Sequence, residues 1–169
     1  MRKAGVKRKE EPEDTKGPRE LTERLILVFL LKFMGVSIAL LVLWYYLGIY
    51  YQSVVFQFAR YILLFMGYTS LQISAVNLSG AYLGNFNLVP FVALAITTPK
   101  FSPVLRLKLL AVGLPLLFIL HVIDLVAHYP LYFYGSEFAQ VIVYSIGVAG
   151  VALPFIIWFF IWYSAFIKR

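Results

Sequence analysis

The sequence predicts an all-α integral membrane protein with about four transmembrane helices and one interfacial amphipathic helix on the outer face. Three observations carry this. Of 169 residues, 62% are apolar and only 14% charged. Six of the eight acidic residues precede Leu25, so the remaining chain is almost free of acids. Three apolar stretches, Leu25 to Tyr51, Leu107 to Tyr129 and Phe138 to Ile167, reach the roughly 20 residues a helix needs to cross a hydrocarbon core.

Residues 1–24 read as a disordered cytoplasmic tail, because they mix both charge signs with Pro and Gly and offer nothing to bury. The first apolar run is far longer than the core of a cleavable signal peptide. Residues 25–169 read as one helical membrane domain, with crossings at about 25–51, 81–98, 107–129 and 138–167. The second of these is interrupted by Asn85, Asn87 and Pro90 and stops at Pro99-Lys100. Between the first two crossings, residues 53–67 are apolar around a central Arg60 and too short to span, which predicts the interfacial helix. Residues 71–80 alternate weakly and end in turn chemistry, as a short hairpin-like segment would. Asn77-Leu78-Ser79 fits the glycan-acceptor pattern, a common accidental match.

The net charge of +7 is a topology signal and no nucleic-acid footprint. Basic residues gather in the tail, at Lys100, Arg106 and Lys108, and at Lys168-Arg169. Four crossings put all three groups in the cytoplasm and leave Arg60 as the basic residue outside, in keeping with the positive-inside rule. The expected location is a cell (plasma or inner) membrane, multi-pass, with both termini cytoplasmic and membrane lipid as the constant partner. Tyr45, Tyr46, Tyr50 and Tyr51 mark the outer end of the first crossing, and Trp158 and Trp162 the inner end of the last.

One polar stripe stands out. His121, Asp124 and His128 fall within roughly 60° of one another on a helix, in the outer part of the third crossing. An ionisable residue inside a membrane is a functional candidate because its burial is costly. Three chemistries fit: a metal site, a base for a serine nucleophile, or hydrogen bonding between helices. The metal reading is weak, since no HExxH pattern exists, and no cofactor motif is present. The hydrolase reading lacks a nucleophile-elbow signature. The absence of Cys removes thiolate ligands and a thiol nucleophile. Pairing between helices is the leading reading, with Asp124 bonded to His121 or Arg60. A pocket formed with Asn85, Asn87, Arg60 and Glu137 is expected around the stripe.

The order of features resembles the exosortase and archaeosortase membrane proteins. An apolar helix ending LLFMG, the segment LQISAVNLSG, the polar break in NFNLVPFVALAITTP, a basic turn RLK and the helix AVGLPLLFILHVIDLV carry the likeness across residues 53–128. The resemblance implies polytopic helical enzymes that recognise carboxyl-terminal sorting signals on exported proteins. It implies a Cys near Asn87 or Leu88 and an Asn-x-x-Arg pattern at His121 to Asp124. Neither is present, so the thiol is missing and an anion stands where a cation would stabilise an oxyanion. The implied role is a noncatalytic relative, a pseudoenzyme, acting as an accessory or partner to an exosortase-like enzyme or to an exported protein with a sorting signal. An active membrane peptidase, transpeptidase or other hydrolase using His121 and Asp124, and a small structural assembly subunit, are the alternatives.

Overall fold

A computed structural model describes residues 18–76 and 85–167, with side chains at 23–76 and 85–164. The greater part of the tail and the Asn77-Leu78-Ser79 pattern lie outside the described residues. Within them, all regular structure is helical: α1 (Pro18–Phe65), α2 (Ser70–Ala75), α3 (Leu88–Thr97), α4 (Pro103–Tyr134) and α5 (Glu137–Ile167). Three helices, α1, α4 and α5, are long and apolar enough to cross a membrane.

The interfacial helix expected at 53–67 is the continuation of α1. Between Gly48 and Gly67 the sequence offers neither Gly nor Pro, so nothing interrupts the backbone ladder where the first crossing was expected to end. Ser53 donates to the Ile49 carbonyl and stays within the helix. At 1.5 Å per residue α1 is about 72 Å long, more than twice a hydrocarbon core of about 30 Å. It ends where Gly67 turns left-handed (φ +92°), with Tyr68 N–H donating to the Leu63 carbonyl and Gly67 N–H to that of Leu64. The two paired bonds are a Schellman stop, and Tyr68 packs on Leu63 beneath it.

The hairpin-like segment expected at 71–80 begins instead as α2. Thr69 accepts from Gln72 N–H while the Gln72 side chain accepts from Thr69 N–H, a complete capping box. α2 is held to the bundle by Tyr129, whose hydroxyl donates to the Ile73 carbonyl at 3.0 Å.

The crossing expected at 81–98 is realised, within the described residues, as a 3₁₀ turn at 85–87 followed by the ten residues of α3. At about 15 Å, α3 cannot span a bilayer core alone. It lies inside the bundle, with Phe91, Ala93, Leu94 and Ala95 buried, and packs on α1, α4 and α5. Gly113 of α4 makes this possible, because any Cβ there would overlap the Phe91 ring. α4 and α5 pack as a hairpin closed at Gly135, whose φ of +58° ends α4. α1 and α5 form no packed pair, which leaves a gap between them over the face of α3.

Candidate functional site

The site begins with a proline. Pro154 inside α5 has no N–H, so the Gly150 carbonyl one turn earlier loses its helical donor. Asn87, at the entry to α3, supplies the missing bond: its Nδ2 donates to Gly150 O at 3.1 Å. Gly150 admits that approach, since a Cβ there would lie 3.3 Å from Asn87 Nδ2. The other end of the Asn87 amide, Oδ1, is 3.0 Å from His121 Nε2, and His121 Nδ1 is 2.8 Å from the Tyr51 hydroxyl.

These bonds fix the protonation pattern. Asn87 Oδ1 can only accept, so His121 Nε2 carries the proton and donates. Nδ1 then holds the lone pair and accepts from the Tyr51 O–H. The opposite tautomer would face two acceptors across 3.0 Å, and flipping the Asn87 amide would set its oxygen against the Gly150 carbonyl. The result is one directional chain, Tyr51 to His121 to Asn87 to Gly150, joining α1, α4, the lead-in to α3, and α5. Beside it Asn85 Nδ2 donates to Gln52 Oε1 at 2.6 Å, a second buried tie from α1 to the same turn. His121 is only 4% exposed, and both its ring nitrogens are committed to protein partners.

The rest of the stripe is bonded differently. Asp124 bonds neither to His121 nor to Arg60. His128 Nδ1 donates to the Asp124 backbone carbonyl at 2.7 Å and lies 3.7 Å from its carboxylate. The Asp124 and His128 side chains are 32% and 46% exposed, respectively, and look into the gap between α1 and α5. That gap is a cavity of about 650 Å³. Asn85, Asn87, His121, Asp124 and His128 supply its polar lining together with Ser37, and Phe33, Leu41, Val143 and Phe155 are among its apolar walls. Gly147 of α5 also borders it, with nothing within 4 Å of a would-be Cβ. The Ser37 hydroxyl is buried without a hydrogen-bond partner.

The structure therefore brings together five of the seven expected site residues. Arg60 and Glu137 are exposed and do not line the cavity. Arg60 lies outward on the α1 extension, and Glu137 opens α5 beyond the cavity mouth. Sequence reasoning missed Tyr51, which reads as one more interfacial tyrosine, as well as Gln52 and the Gly150 carbonyl. Pro154 was the available signal for the last.

Among the described residues, no group of three or more His, Asp or Glu side chains is placed to hold a metal ion. The chain matches no protein-family model, no curated protein and no solved structure.

Proposed function

We propose that this protein is a noncatalytic multi-pass membrane protein that seats an apolar segment of a partner in the gap between α1 and α5. The role is that of an accessory in an envelope protein-sorting system, of the kind the exosortase and archaeosortase resemblance implies. The carrying observation is the division of labour along the stripe. His121 is consumed by bonds between helices, whereas Asp124 and His128 stay partly open at a cavity with apolar walls. A cavity of about 650 Å³ lies within the range of ordinary ligand sites, large enough for several apolar side chains and too small for a whole helix. Asp124 would accept from a donor on the incoming segment.

The hydrolase alternative draws no support from the geometry, since His121 and Asp124 do not meet and neither nitrogen of His121 is free to act as a base. The structural-subunit alternative is favoured by one observation: the most apolar window of α1 has no residue buried inside the bundle.

The test uses the purified chain in lipid nanodiscs with a fluorescent peptide carrying an apolar carboxyl-terminal sorting segment. The peptide should bind, keep its full length, and lose binding in Gly147→Phe, which fills the cavity from a position with room for a side chain. Cleavage that disappears in His121→Ala would overturn the noncatalytic reading, and binding unchanged by Gly147→Phe would overturn the cavity as the seat.

A further inference from the structure

A second cavity lies at the basic end of the bundle. It measures about 530 Å³ and sits between the amino-terminal part of α1, the end of α3 and the first turns of α4. Two cations from different helices line it, Lys32 and Arg106, along with Leu25, Val28 and Phe29 of α1 and Ile96 of α3. No carboxylate is among its described lining residues. The Arg106 Nε is buried and makes no hydrogen bond. Thr97 and Thr98 also line the cavity, with their hydroxyls donating to the Ala93 and Leu94 carbonyls, and neither accepts from the Arg106 Nε.

A buried guanidinium nitrogen without a partner is costly, and a guanidinium fork matches the oxygens of a phosphate. The basic pair lies at the end of a bundle with three span-length helices, beside apolar side chains that continue along α1. Basic pockets between transmembrane helices are the usual receptors for anionic headgroups. The geometry points to a binding site for an anionic phospholipid, with its phosphate held by Arg106 and Lys32 and an acyl chain laid along Val36 and Ile96 toward the middle of the bundle. The shared chemistry is a phosphate group, and the apolar wall selects the lipid over the free ion.

Native mass spectrometry of the full chain in zwitterionic detergent tests this, by titration with phosphatidylglycerol, phosphatidylcholine or inorganic phosphate. Phosphatidylglycerol should bind at least about tenfold more tightly than either of the others. Lys32→Gln and Arg106→Gln should each lower its affinity about tenfold, as loss of a charge-assisted bond does. Gly35→Phe should also weaken it with every charge retained, because Gly35 lines the cavity and has open space for a side chain. Lys108→Gln removes the same charge from an exposed position outside the cavity and should leave binding unchanged. Equal binding of phosphatidylcholine, equal binding of inorganic phosphate, or an equal loss in Lys108→Gln would each overturn the proposal. If Arg106→Gln does not fold, Lys32→Gln and Gly35→Phe decide it.

Discussion

At the scale of single residues, His121 joins three helices because its two ring nitrogens are matched to groups of opposite hydrogen-bonding sense. The last link is the least replaceable, since Gly150 lacks a helical donor by virtue of Pro154. Asn87→Leu should lower stability in detergent by about 1 kcal/mol, the scale of a polar pair inside a membrane. Pro154→Ala should cost less in that background than in the parent, because it restores an N–H that can reach the Gly150 carbonyl. Thermal unfolding of the four proteins measures the cycle, and strictly additive losses would refute the link. Nitrogen-15 spectra of imidazole-labelled protein should show His121 as the neutral Nε2–H tautomer, moving to another state in Asn87→Leu. The stripe itself was legible from spacing, because 3.6-residue periodicity places 121, 124 and 128 together. Its partners were not: Tyr51 lies 70 positions from His121, and nothing local marks it among neighbouring tyrosines.

At the scale of elements, the sequence announces its helices more clearly than their ends. The apolar runs located α4 and α5, but bilayer length alone suggested a stop at Tyr51 that the backbone chemistry does not provide. Where chemistry for a stop exists it is used, at Gly67 and at Gly135. α2 was readable too, since Thr69-x-x-Gln72 is a capping-box signature, although weak alternation pointed to an extended segment. The shortness of α3 was not readable, because its span depends on burial against three other helices. Two glycine substitutions separate the forces involved. Gly67→Ala should cost about 1 kcal/mol through backbone conformation alone, because the site has space and a left-handed φ. Gly113→Ala should cost more, since the new Cβ meets the buried Phe91 ring and pushes α3 off α4. Equal losses in unfolding measurements would show that the α3 and α4 approach is looser than the structure has it.

At the scale of the whole molecule, the bundle has two unlike ends. α1 and α4 run in parallel: Lys32 and Arg106 line one cavity at one end, and Tyr51 meets His121 about 22 Å above Arg106 by helical rise. α3 and α5 run the other way, so Thr98 and Trp158 return to the basic end, where Trp158 Nε1 donates to Thr98 Oγ1. An aromatic amphipath and a set of cations at one end are what a cytoplasmic membrane interface attracts. If that end is inside, the His121 network would fall in the outer half of the bilayer and the cavity holding Asp124 and His128 would open toward the exterior, the orientation that the positive-inside rule predicts. Because the chain has no Cys, single cysteines report its topology without background. Ser102 at the basic end and Glu137 at the other are both exposed. In intact cells an impermeant thiol reagent should label Glu137→Cys at once and Ser102→Cys only after permeabilisation, whereas labelling of Ser102→Cys in sealed cells would invert the bundle and contradict an outward-facing cavity.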